Sequence, residues 1–454
     1  MTGPKGPRPI ASRCRFIDPW TVVRLCDLAW LVVSVWREPA RDLPVVGSPD
    51  VLVVGAGSAG IAAAVASARL GADTWLIERY GFVGGLATFG LINLLLTLDD
   101  GEGKQVVAGL CQHFVDALDE RGAARYPHAE EWGSPDPASI ERWRRYGLIW
   151  GAPPDVVRYS VAFDPEEFVT VAYENLTTAG VRLRLHSWCA AAPTVEGRID
   201  AVIVESKAGR QVLRPRVVVD ATGDGDVFVA AGAPYEAVSV SPYLWFRLGG
   251  IDDSAVGAAP PGLAFRTTAP GRALVAWGGP GAVEGKIDPV DPDALTFAEL
   301  ACRAGALAEL DRLRAEVPGF ADAWLDDVAK LLGITESRRL VGDFLLEKEH
   351  GNTRFADSIA QTGHWTRRGV VFDVPYRCLT TPVVANLLVA GRCISVSRYV
   401  HQATKEIPAA MATGEAAGTA AARALDVGGE VHIVDVEEVR RDLRAFGAIV
   451  GGES

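Results

Sequence analysis

Residues Asp50-Val51-Leu52-Val53-Val54-Gly55-Ala56-Gly57-Ser58-Ala59-Gly60 decide how this chain is read. The unbroken apolar run Val51 to Val54 fits a strand buried on both faces of a parallel sheet, since such a strand has no wet side on which polar residues could alternate. The Ala-rich stretch Ile61 to Leu70 after the glycines carries side chains small enough to let a helix lie close to that sheet, and Gly71 stops it. Thr74-Trp75-Leu76-Ile77 is then a second strand, with Glu78 at its end. The whole is a βαβ unit of about 30 residues. Three glycines alone say little, but between a strand and a helix, with an acid 18 residues after Gly60, they fit a dinucleotide site. Gly55 permits the tight turn, Gly57 lets a pyrophosphate approach the backbone at the helix N-terminus, Gly60 permits close helix–strand packing, and Glu78 can accept hydrogen bonds from ribose hydroxyls. An acid at 78 argues against a 2′-phosphate, so the ligand is the ADP half of FAD or NAD.

Outward from this unit the α/β grammar is interrupted and resumed. Pro165 to Ala179 reads as a helix capped by Asp164 and stopped by Gly180, with Val181 to Leu185 as a strand. Ala201 to Glu205 and Gln211 to Leu213 form a hairpin, and Val217-Val218-Val219-Asp220 is a buried strand entering Ala221-Thr222-Gly223-Asp224-Gly225-Asp226. From about Ala237 to Val374 the rhythm is lost, and two helical runs are expected, Ala294 to Val317 and Phe320 to Leu332. It returns with Asn386-Leu387-Leu388-Val389-Ala390-Gly391-Arg392 and an Ala/Gly-rich helix from Pro408 to Leu425. The expected fold is α/β: a Rossmann-like dinucleotide-binding domain, discontinuous over 50–94, 160–236 and 375–430, with an inserted α+β substrate domain. Residues 95–159 and 237–374 are its substrate or cap insertions, and 431–454 a C-terminal helix and tail.

FAD is preferred over NAD because of a resemblance. Glu78-Arg79-Tyr80-Gly81-Phe82-Val83-Gly84-Gly85-Leu86-Ala87-Thr88 resembles the extension that follows the dinucleotide unit in FAD-dependent oxidoreductases of the glutathione-reductase-like fold, in particular those related to fumarate reductase and succinate dehydrogenase flavoproteins. Glu38 to Val45, Val218 to Asp226, Asn386 to Arg392 with Met411 to Gly418, and Ile334 to Arg339 match the same pattern, so the resemblance spans roughly residues 38 to 450. It implies that Gly55, Gly57, Ser58 and Gly60 line the pyrophosphate, that Glu78 and Arg79 hold the adenosine ribose, and that Gly84, Gly85 and Thr88 approach the pyrophosphate or ribityl chain. Cys189 and Ala190 would meet the adenine through backbone groups, Thr222-Gly223-Asp224 would pass the cofactor a second time, and Gly391 and Arg392 would lie at the flavin end. The helix from Pro408 would face the flavin with its N-terminus, which carries about half a positive charge.

The implied reaction is hydride transfer between a small organic substrate and flavin N5, with an electron acceptor that the residues do not name. A flavin-dependent monooxygenase and a non-catalytic FAD-binding or electron-transfer protein stay as alternatives. Ser397 to Glu406 leads into the flavin-facing helix, so Lys405 could orient a substrate carboxylate or hydroxyl and His401 could serve as acid or base. Arg338 could bind an anionic substrate. Each of these side chains is equally open to a structural hydrogen bond or ion pair.

Composition excludes other classes. The 454 residues are 49% hydrophobic and 22% charged, a profile of a folded globular chain. With 45 basic against 57 acidic residues, the net charge of −12 works against nucleic-acid binding. Seven scattered cysteines form no CxxC, so no iron–sulfur cluster, zinc site or redox dithiol is encoded locally, no metal is expected, and a reducing, cytoplasmic location fits. Lys5, Arg8, Arg13 and Arg15 precede an apolar stretch, Trp20 to Trp36, that Arg24 and Asp27 interrupt and that is too short for a membrane span. Residues 1–49 are therefore expected to be a poorly ordered extension, and no integral membrane span is expected.

Overall fold

A computed structural model describes residues 36–150, 155–260, 262–277, 283 and 285–452. The apolar runs form a five-stranded parallel sheet from β1 (Val51–Val54), β2 (Thr74–Ile77), β3 (Arg182–Arg184), β4 (Val217–Asp220) and β5 (Leu387–Val389), in the order β5-β4-β1-β2-β3. β1 pairs in register with β2 on one side and β4 on the other, and every residue of β1, β2, β4 and β5 is buried. That burial is why those four runs carry no polar alternation. Helix α1 (Ser58–Arg69) crosses from β1 to β2, and α2 (Ile407–Ala424) packs against it. Their backbones nearly touch: a Cβ on Gly414 would lie 2.1 Å from the Ala59 carbonyl oxygen, and one on Gly418 would lie 2.0 Å from that of Ala63. The small residues read as sheet-packing therefore also pack helix on helix.

Val202–Ser206 and Gly209–Leu213 form the expected antiparallel hairpin, flanked by Trp188–Ala191 and, in parallel, by Val45–Gly47. Ordered pairing thus begins at Val45, ahead of the Asp50 boundary drawn from sequence, because the edge of this hairpin offers free backbone partners and Gly47 fits against the Trp75 ring, where a Cβ would come within 2.4 Å. The expectation that all of 1–49 lies outside the fold is corrected for those residues. Its part before Trp36 lies outside the described residues.

The inserted region is a four-stranded antiparallel sheet, Ala264–Arg266, Arg272–Val275, Phe246–Gly249 and Trp324–Val328, backed by a helix over Pro292–Glu316. Asp291 caps that helix by accepting from the Asp293 N–H, with Pro292 in its first turn, close to the Ala294 start expected. The second expected helix, Phe320 to Leu332, is absent. Gly319 turns the chain at φ +83°, and Trp324–Val328 joins the sheet edge beside Phe246–Gly249. Arg247 binds Asp327 at 3.0 Å and Arg272 reaches Asp326 at 3.4 Å, so cross-strand charge pairing and a free sheet edge outweigh a helix-forming sequence. Residues Val436–Ala445 form a helix near the C-terminus. Among the described residues no helix is long and apolar enough to cross a membrane.

Candidate active site

Two glycine turns lie against each other at the carboxyl ends of β1 and β2. Gly55 (φ +98°) bends the chain out of β1, and Gly84 (φ +100°) and Gly85 (φ +58°) form a second turn whose Gly84 N–H donates to the Ala56 carbonyl at 2.8 Å. A Cβ on Gly57 would meet nothing within 4 Å, whereas one on Gly60 would lie 1.7 Å from the Gly55 carbonyl oxygen. Gly57 is thus open toward ligand space while Gly60 is needed for packing, the division of labour read from sequence. The Glu78 carboxylate is fixed by the Ala56 N–H at 2.7 Å and the Tyr80 N–H at 2.9 Å, and burial pushes its pKa up. Its anchoring leaves it facing two adjoining clefts.

The larger cleft, about 890 Å³, is lined by Gly55, Gly57, Ser58, Gly84, Gly85, Thr222, Gly223, Gly391 and Arg392 from the nucleotide-binding layer. Lys405, Ile407 and Ala410 at the start of α2 also line it, as do Leu331 and Thr335 from the inserted region. The smaller, about 320 Å³, holds Ser187, Trp188, Cys189 and Asp226, and shares Gly55, Glu78, Arg79 and Thr222 with the first. Of the residues named from sequence, Gly60, Thr88, Ala190, Asp224 and Pro408 line neither cleft. Thr88 is buried beneath Gly84 and donates to the Val83 carbonyl at 2.8 Å. Ala190 falls on the exposed face of its strand, one residue out of phase with buried Cys189. Pro408 is buried in the first turn of α2.

A polar brace behind the cleft explains the Asp-rich turn. Asp220 accepts from the Thr222 N–H and hydroxyl and from the Val227 and Phe228 N–H groups, so it sets the turn that presents Thr222 and Gly223. Asp224 accepts from Arg392 at 2.5 Å and from the Ser337 hydroxyl at 2.7 Å. Burial pushes Asp226 up to about 6, with Asp224 and Asp220 adding to the shift. Arg338, proposed from sequence to bind substrate, pairs with Asp226 at 2.5 Å and donates to the Asp224 carbonyl at 2.7 Å, and it lines neither cleft. Arg392 lines the larger cleft while two of its donors hold Gly223 and Asp224.

His401 is also displaced from its expected place. It lies on a short helix, Arg398–Thr404, whose Val400, His401, Ala403 and Thr404 turn inward. Its ring is fully buried, and burial together with Lys405, Arg339 and Arg392 holds its pKa well below the usual histidine range. Lys405, which caps the C-terminal end of that helix, lines the cleft instead, its ammonium 2.6 Å from the Glu406 carboxylate. Leu331, Thr335 and Trp188 were missed from sequence. An exposed tryptophan beside a buried cysteine on a short strand was a usable signal for Trp188; the other two reach the cleft only through the docking of the inserted region.

The chain matches the FAD dependent oxidoreductase family over residues 50–274 and 262–443. It belongs to that family. FAD is its cofactor, and the two clefts are joined through the shared wall of Gly55, Glu78, Arg79 and Thr222. The open Cβ position at Gly57 and the paired positive-φ glycines 84 and 85, which expose backbone N–H groups, are what a pyrophosphate requires. No curated protein sequence matches the chain. Among solved structures it is similar to a geranylgeranyl bacteriochlorophyll reductase-like protein from Thermoplasma acidophilum (TM-score 0.47, 14% identity, 88% of this chain and 84% of that one covered). It is also similar to L-amino acid deaminase from Proteus vulgaris (0.46, 14%, 88% and 98%) and to p-nitrophenol 4-monooxygenase PnpA from Pseudomonas putida DLL-E4 (0.44, 13%, 88% and 83%).

Proposed function

We propose that this FAD-dependent oxidoreductase transfers hydride between a small organic substrate and its flavin. One observation carries the reading: a single cleft is lined by the dinucleotide glycines, by Lys405 and the first turn of α2, and by Leu331 and Thr335 of the inserted region, so a ring held in it would lie where the inserted region can bring a substrate. Bound FAD supplies the two-electron acceptor. Gly57, Ser58, Gly84 and Gly85 hold the pyrophosphate, Glu78 holds the ribose, and the α2 N-terminus, where no side chain caps the first N–H groups, favours negative charge at the ring end. Lys405 orients the substrate: its ammonium has three donors, and the Glu406 carboxylate at 2.6 Å takes one. Within the family, the motif resemblance supports a glutathione-reductase-like arrangement and kinship with fumarate reductase and succinate dehydrogenase flavoproteins.

An anaerobic metabolite screen that follows bleaching of the oxidised flavin tests the reading. Bleaching by a metabolite alone is the expected result. Bleaching only by NAD(P)H, with a hydroxylated product on admitting oxygen, would replace it with a monooxygenase, and no bleaching by any small molecule would leave an electron carrier.

A further inference from the structure

Beside Lys405, four segments of the chain bring five aromatic rings together. Trp365 lies 5.7 Å from the Lys405 ammonium, ring centroid to nitrogen. Trp150 meets Trp365 edge-on at 5.7 Å and Trp277 at 6.2 Å and 90°, while Trp277 meets Tyr243 at 4.7 Å and Trp245 at 5.7 Å. The cluster adjoins the cofactor cleft, because Gly333 packs on the Tyr243 ring between the cleft-lining Leu331 and Thr335. It is not simply a core. Trp245 is buried, but Trp150, Tyr243 and Trp365 each keep part of their surface in solvent, and Trp277 is 41% exposed. Trp277 also sits at φ +65°, a backbone conformation that costs a bulky residue free energy and that persists only where the surroundings enforce it. A half-exposed tryptophan held in that conformation at the rim of an aromatic cluster gains little by burial, so packing alone does not account for it.

We infer that this aromatic wall receives the substrate, and that the substrate is a planar aromatic molecule carrying a carboxylate or phenolate oxygen for Lys405. The inference rests on the proposed hydride-transfer reading and adds the substrate class. The edge-on rings present π faces and hydrogen edges against which another ring stacks with more selectivity than a saturated ring of equal area. The ammonium supplies the polar end, while the charge of Arg392, which also lines the cleft, is met by Asp224. A permanent cation over the aromatic faces is the competing occupant, and Lys405 works against it.

The test uses the FAD-loaded protein and four probes: benzoate, cyclohexanecarboxylate, benzyl alcohol and benzyltrimethylammonium. Binding is read by quenching of tryptophan emission and by displacement of the oxidised flavin absorption bands. Benzoate is expected to move both signals, with an affinity about tenfold or more above cyclohexanecarboxylate and above benzyl alcohol. Trp277→Ala and Lys405→Met should each weaken benzoate about tenfold at unchanged FAD content, and Trp277→Phe, which keeps a ring, should recover most of the loss. Equal affinity for cyclohexanecarboxylate, preference for benzyltrimethylammonium, unchanged benzoate affinity in Trp277→Ala, or no binding of any probe at millimolar concentration would overturn the inference. Flavin bleaching by an aliphatic metabolite without benzoate binding would overturn it and leave hydride transfer standing. Benzoate binding with no metabolite able to bleach the flavin would strike the hydride-transfer reading instead.

Discussion

The nucleotide-binding layer and the inserted region are packed by opposite means. In the first, backbone meets backbone: Gly60 against Gly55, Gly414 against Ala59 and Gly418 against Ala63, at separations that leave no room for one methyl group. In the second, large rings fill the space, and the contacts of Trp150, Tyr243, Trp277 and Trp365 leave each of them partly in solvent. Backbone contact gives a rigid frame that tolerates no addition. Side-chain contact gives a surface that can be trimmed or reshaped.

The largest effect should come from adding atoms where the backbones touch. Gly418→Val places three carbons against the Ala63 carbonyl, and it should cost more than about 3 kcal/mol and leave little folded protein, as seen in thermal melts and soluble yield. A melting temperature near wild type would break the contrast. Within the same layer Gly57→Val is the control, because its side chain meets only ligand space. It should abolish FAD content on denaturing release and leave the melting temperature of the FAD-free protein almost unchanged. Retained flavin would mean that the pyrophosphate lies elsewhere.

Where the two regions meet, Lys405→Met keeps the length of the side chain and removes its charge and donors. The rate of flavin reduction by substrate should fall about 100-fold while FAD content holds, as for loss of one preorganised donor. Loss of FAD in parallel with the rate would make Lys405 part of the frame.

The smallest effect concerns Glu415, a carboxyl on α2 that is buried among the tightly packed small residues. Burial pushes it up to about 7, opposed by the Leu110 N–H, which donates to it at 2.9 Å, and by the charge of Arg69. A carboxyl whose folded pKa exceeds its unfolded value favours the fold while protonated, and that contribution is lost as pH rises through about 7. Wild-type stability should therefore decline as pH rises from about 5 toward 7. Glu415→Gln should flatten this decline, matching wild type near the acid end and exceeding it near pH 8 in melts across the range. Parallel pH profiles would show that the carboxyl is ionised in the fold throughout.

Sequence legibility follows the same division. Glycine positions, buried apolar strands and Glu78 were readable because each answers to a local requirement: a positive φ, a strand with no wet face, a carboxylate at a strand end. The inward turn of His401 was not readable, because a seven-residue helix can present either face until its neighbours are in place. Arg338 was open to an anionic substrate or to an ion pair, and it became a brace when Asp224 and Asp226, more than a hundred residues away in sequence, folded beside it. Phe320 to Leu332 read as a helix because its local propensity is helical, and only the open edge of a distant strand makes part of it β.

By itself, then, the sequence determined the parallel-sheet frame, the glycine turns at its edge and the acid at the end of β2, since these depend on interactions spanning a few residues and on backbone geometry that few residue types can adopt. Tertiary structure alone decided which polar side chains reach the cleft. Lys405 lines it, while His401 and Arg338 are drawn into burial or ion pairs, and Leu331 and Thr335 join its lining from the inserted region. The physical reason is that a side chain's exposure and partners are set by which elements dock against it, and docking sums many weak, non-local contacts that no short stretch of sequence encodes.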